Sequence, residues 1–225
     1  MKKFFIILSV ITIYCFVSVW CQAKPKEQAE AEALVEKSTT VVSSFTADPD
    51  LDWFRKNVYR AQAVLIIPQN LKGAFLVGGA GGSGVLLARD IKTGQWSYPA
   101  FYTLGSLSIG LQAGAESSEI ILMVMTERGM ESMLTSSFKL GADVTLAAGP
   151  VGVGAKAKTA DIISYARAKG VFAGVSLDGA VVKTRDGLNG AYYGRKVSPT
   201  DILIRRDAVN GHADKLRAAV KAVAK

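Results

Sequence analysis

Hydrophobic and polar positions alternate most regularly between Ser106 and Gly114. Leu107, Ile109, Leu111 and Ala113 fall on one face there, and Ser106, Ser108, Gly110, Gln112 and Gly114 on the other. This period of two predicts a half-buried antiparallel strand. The surrounding stretch from Gly73 to Gly114 reads as strands broken by glycine turns. Shorter apolar runs predict further strands: Val64–Ile67, ended by Pro68, then Glu119–Met125, Asp143–Ala148, Ile162–Arg167, Val171–Leu177 and Ala180–Arg185.

Helical spacing appears at both ends of the chain. Ala29, Ala33, Leu34, Val41, Val42 and Phe45 approximate a 3.6-residue stripe from Lys26 to Ala47. Its polar face mixes acids with lysines, which suits packing on the domain better than lying on an anionic membrane. Asp50 caps a predicted helix from Leu51 to Ala63, and Thr126 caps one from Glu127 to Phe138 with Gly141 as its stop. Ser198-Pro199-Thr200-Asp201 resembles a capping box opening a helix through Arg206, and a basic helix follows from His212 to Lys225. Together these elements predict an α+β fold: a mostly antiparallel, strongly curved sheet or partly closed barrel, with N- and C-terminal helices. Met123, Met125, Met130 and Met133 read as core.

The first 23 residues read as a targeting segment. Lys2 and Lys3 precede an apolar run from Phe4 to Trp20, and Cys21-Gln22-Ala23 supplies a small-x-small cleavage signal. Cleavage after Ala23 leaves a formal charge of about +6, from +8 for the whole chain. An uncleaved anchor is the alternative, and acylation of Cys21 fits poorly after the bulky Trp20. The expected organisation is a signal peptide over 1–23, an N-terminal helix over 24–47 and one domain over 48–225, exported to the periplasm or cell envelope. Cys15 and Cys21 are the only cysteines, so the processed chain has none for disulfides, thiol catalysis or thiolate metal sites.

Six segments are similar, in order, to the SYLF domain, a lipid-binding family: AVLIIP, KGAFLVGGAGGSGVLLARD, GQWSYPAF, LGADVTLAAGPVG, YARAKGVFAGVSLDGAVV and NGAYYG. The resemblance covers roughly Asp50 to Asp207 and is nearest to exported bacterial members. It implies binding of anionic, phosphoinositide-like phospholipid at a membrane surface. Yeast members also bind actin, but actin is not carried over to an exported chain.

Chemistry read from the residues themselves is sparse. Gly79, Gly81 and Gly84 form a G-x-G-x-x-G, yet VLLARD after it reads as strand, and Thr103, Leu104 and Gly105 stand where an acidic residue belongs. A glycine hairpin is the better reading, and no cofactor is expected. The single histidine, His212, has no nucleophile near it in sequence, so neither a triad nor a histidine metal site is expected. Glu116, Glu119, Asp143 and Asp178 keep a carboxylate-based hydrolase open as a rival.

What remains is cationic binding. Lys156 with Lys158, Arg167 with Lys169, and Lys183 with Arg185 repeat an i, i+2 spacing that puts each pair on one strand face. Such pairs suit phosphate oxygens of lipid headgroups, and equally suit solvated strand edges. An apolar hairpin near Ala74, Phe75, Trp96 and Phe101 is the expected membrane contact. Nucleic acid is disfavoured by the leader and the lack of a recognised motif. The function expected is thus a non-enzymatic exported lipid-binding protein. An envelope protein that binds another protein is the alternative.

Overall fold

The computed structural model describes residues 26–151, 159–168, 170–172 and 177–224; for 74–78 and 107–115 it describes the backbone. The leader lies outside these residues. The fold is α+β, a curled half-barrel sheet flanked by helices from both ends of the chain. Among the described residues, no helix is long and apolar enough to cross a membrane.

Two strands dominate. β1 (Ala63–Ala88) and β2 (Ala100–Val124) run 26 and 25 residues and pair antiparallel along almost their whole length. Pro68 does not end the first strand. It sits in a register shift between Ile67 and Asn70, where a residue without an N–H costs no ladder bond. The glycine-rich stretch is likewise no hairpin turn: Gly79, Gly81 and Gly84 lie inside β1. The actual hairpin connection is 89–99, where Asp90 Oδ1 accepts from the N–H groups of Lys92 (2.8 Å) and Thr93 (2.9 Å).

The glycines serve a different end. β1 leaves and returns to one place, since Arg89 N–H donates to the Gln62 carbonyl (2.7 Å). Its two halves touch midway. A Cβ on Gly84 would overlap the Ile66 carbonyl oxygen, and one on Gly82 the Gln69 carbonyl oxygen. Only a residue without a side chain permits that approach. The ribbon of β1 and β2 therefore runs out, turns between residues 70 and 82, and runs back.

β3 (Ser137–Lys139), β4 (Leu146–Ala148), β5 (Ile162–Ala168), β6 (Val171–Phe172) and β7 (Val181–Thr184) complete the sheet. The strand order is β3-β7-β2-β5-β4, with β1 along β2 and β6 along β5. β7 pairs with residues 102–105 of β2 and β5 with 118–124, so 106–117 pair with β1 alone among the described residues.

Both faces of the paired base are buried, which explains its continuous apolar runs. Val64, Ile66, Val85, Leu87, Ile121 and Met123 face α1 (Lys26–Ala47), α2 (Asp52–Asn57), α4 (Asp186–Tyr193) and α5 (Asp214–Val223). Leu65, Ile67, Leu86, Ile120 and Leu122 face α3 (Glu127–Leu134) and the turn 201–205. Met123, Met130 and Met133 are buried and Met125 partly so.

Several boundaries differ from the sequence expectation. α1 buries Ala31, Val35, Ser38, Val41, Val42 and Phe45, while Ala29 and Ala33 face outward. Alanine fits either side of a helix, so the stripe's first half was ambiguous. The segment after Asp50 is a short α-helix between two 3-10 turns, and α3 stops at Leu134 before β3 begins. Ser198 and Asp201 do make a reciprocal cap, Ser198 N–H and hydroxyl donating to the carboxylate at 2.9 and 2.7 Å, but the turn that follows is π-helical. α4 was not anticipated, because two glycines in DGLNGAYY mask it. The alternation across 107–114 concerns side chains outside the described ones, as does the end of the strand expected to reach Leu177.

Candidate functional site

Arg167 shows what the tertiary structure does with an expected phosphate ligand. Its Nε donates to Glu119 Oε2 at 3.0 Å and its Nη2 reaches the same oxygen at 2.5 Å. Nη2 also bonds the Ser44 hydroxyl, and Asp48 lies 3.8 Å from Nη1. The guanidinium stacks 4.7 Å above the Phe45 ring and 5.9 Å from that of Phe172, with the side chain 14% exposed. Arg167 thus pins the C-terminal part of α1 to the sheet.

Arg185 does the same at the other end of that helix. It pairs with Glu30 and donates to Ser83 Oγ at 2.8 Å. Neither arginine is free for a lipid phosphate, which corrects both assignments: Glu119 on β2 and Asp48 just past α1 meet Arg167, and Glu30 on α1 meets Arg185. Lys183 is exposed on β7. Lys156, Lys158 and Lys169 lie outside the described residues.

The expected membrane contacts divide as well. Trp96 is 2% exposed and Phe101 fully buried, both in the core under the helices. The Trp96 carbonyl accepts from Arg217 at 3.1 and 3.0 Å, and Phe101 N–H donates to Asn189 Oδ1 at 2.8 Å. Their apolar bulk completes that core, so neither meets a membrane. Phe75 lies in the outward part of β1, and its side chain is outside those described.

Two of the candidate acids already have partners. Glu119 is spent on Arg167, and Asp143 accepts from Lys139 N–H at 2.7 Å. Asp161 is not among those candidates and has both carboxylate oxygens occupied. It accepts from the hydroxyls of Thr126 (2.6 Å) and Thr145 (2.8 Å) and from Thr145 N–H (2.9 Å). The Thr126 bond foremost, with those from Thr145, holds its carboxyl below the usual carboxylate range. His212 is not simply solvated: its ring lies 3.3 Å from Glu36 and 3.5 Å from the Tyr192 hydroxyl. Among the described residues, no group of three or more His, Cys, Asp or Glu could hold a metal.

The geometry instead leaves two poles. At one, the uncharged sequences 73–80 and 106–115 form the turned part of the ribbon, with no other strand beside 106–117 among the described residues. A groove of about 640 Å³ lies at its base, lined by Lys37, Thr40, Pro68, Gln69, Ser118 and Gly170 among others. Leu71 beside it is 56% exposed and Val171 67%, and Lys37 and Lys72 are exposed. At the other pole sits the hairpin connection 89–99. The signal for the first pole was in the sequence, as a long run without charge. That for the second was not.

A family model described as "Ysc84: Las17-binding protein actin regulator" matches residues 105–223, just over half of the chain. Protein YSC84 of Saccharomyces cerevisiae is 33% identical over 165 residues, covering 70% of this chain and 35% of the yeast protein. SH3 domain-containing YSC84-like protein 1 of Homo sapiens is 29% identical over 184 residues, 79% of this chain and 53% of the human one. The chain therefore spans about a third to a half of the length of these curated relatives.

Proposed function

The chain belongs to the Ysc84 family, the SYLF group its motifs resemble, and from that premise we propose that it is a non-enzymatic, exported protein that binds anionic phospholipid surfaces through the pole of the turned ribbon. One observation carries this reading: sequences 73–80 and 106–115 hold no charge, and 106–117 pair with a single neighbouring strand among the described residues. A two-stranded ribbon is marginal in water without an apolar cover. A bilayer interface supplies that cover, while headgroups and water still satisfy the ribbon's outer N–H and C=O groups, which the hydrocarbon interior would not. Lys37 and Lys72 stand at the base of the ribbon, where phosphates would meet them.

Flotation of the purified protein with vesicles tests this. Phosphatidylglycerol-containing vesicles should carry it upward at low salt and less so at high salt, whereas neutral vesicles should not. Phe75→Asp should weaken the association about tenfold or more, through the cost of pressing a charge into the interface. Binding to neither vesicle type would sink the proposal. Amino-terminal sequencing of the exported form should begin at Lys24.

The family's description as an actin regulator favours a second reading, regulation of actin. Only the proposed export argues against it. Co-sedimentation with actin filaments separates the two readings.

A further inference from the structure

At the pole opposite the ribbon, two turns far apart in sequence are clasped together. Arg206 lies 3.8 Å from Asp90 and donates to the Gln95 carbonyl at 3.1 Å, which joins the turn 201–206 to the hairpin connection 89–99. The clasp sets Ile91, 71% exposed, and Ile204, 51% exposed, around one recess of about 420 Å³. Tyr59, 46% exposed, adjoins them, its carbonyl held by the Arg89 guanidinium.

The charges around these apolar tips are asymmetric. Asp90 is occupied by Arg206 and by two N–H groups of its own turn, and Asp201 by Arg205 (2.8 Å) and Ser198. Asp207 is a third acid nearby. Arg60, Arg89 and Lys92 have no acid within ion-pair distance among the described residues, and the lining of the recess sets Arg89, Lys92 and Arg206 against Asp90. Exposed isoleucines ringed by surplus arginine and lysine match a bilayer interface with anionic headgroups, where apolar side chains sink and cations meet phosphate.

We infer that this pole is a second membrane-docking surface, and that one molecule bridges two anionic bilayers. The inference rests on the ribbon pole being the first lipid contact. Both ends of β1 lie beside this second surface, and the ribbon turns back about seven residues away, roughly 25 Å along the strands. Two bilayers can then be held apart at once, one at each pole.

The test pairs two readouts on the same vesicles, phosphatidylcholine containing phosphatidylglycerol. Flotation reports binding; turbidity and dynamic light scattering report clustering. The unaltered protein should do both. The double variant Ile91→Asp with Ile204→Asp, and separately Arg89→Glu with Lys92→Glu, should still float but cluster vesicles at least about fivefold less. Far-UV circular dichroism and light scattering of the free protein should match the unaltered chain for the isoleucine pair, whose side chains are exposed, and Lys92→Glu alone repeats the charge test without the half-buried Arg89.

Flotation without clustering by the unaltered protein overturns the bridge and leaves the ribbon reading standing. Clustering undiminished in both variants overturns it too. Loss of a dimer in either variant would assign the surface to self-association instead, and failure of all flotation removes both readings together.

Discussion

The two halves of the long ribbon carry the same kinds of residue and have opposite surroundings. In the base, Ile66, Leu65, Leu86 and Ile121 are buried, with helices on one face of the sheet and α3 with the 201–205 turn on the other. In the turned part, 106–117 have β1 as their one paired strand among the described residues. Apolar sequence means interior packing in the first half. In the second it is the surface proposed above for a membrane, so hydrophobicity alone does not distinguish core from contact surface.

The glycines offer the sharpest way to break this comparison. Gly84→Ala and Gly82→Ala place a Cβ against carbonyl oxygens of the same strand's other half, and each should cost about 3 kcal/mol or prevent folding. Gly73 has nothing within 4 Å of a Cβ, so Gly73→Ala should stay within about 0.5 kcal/mol of the parent. Denaturant midpoints decide it: equal losses at Gly73 and Gly84 would mean that the halves do not meet as described.

Arg167→Ala comes next, with an expected loss of about 2–3 kcal/mol, because it strands Glu119 and uncovers Phe45. A double-mutant cycle with Glu119→Gln should show a clear coupling energy in thermal unfolding. If the arginine were a lipid ligand instead, Arg167→Ala would leave stability unchanged and lower vesicle binding.

A smaller loss than that at Arg167 concerns Asp161, which joins Thr126 at the start of α3 to Thr145 before β4. Its folded carboxyl titrates below its unfolded value, so the stabilisation is fully present above the ordinary aspartate range. That stabilisation fades as pH falls through the folded value. Asp161→Asn should lose about 1–2 kcal/mol at neutral pH and little further on acidification, flattening the acid limb of the stability profile. An unchanged acid limb would refute the assignment.

Local chemistry was legible from residue order. Thr126 caps α3 through the Gly129 N–H at 3.1 Å, and Ser198 with Asp201 makes its box, because such bonds span three residues. The runs VLII and EIILMV announced strands for the same reason: their burial on both faces is written in composition.

Partnership across the fold was not legible. Whether Arg167 meets a phosphate or Glu119, whether Trp96 faces a membrane or the helices, and where a glycine strand touches itself all depend on residues tens of positions away. The alternation of side chains determined that this chain builds a curved sheet with helices at its ends. Only the folded arrangement decided which cations and apolar groups stay free, because charge pairing and close backbone approach are properties of distance in space, not of order along the chain.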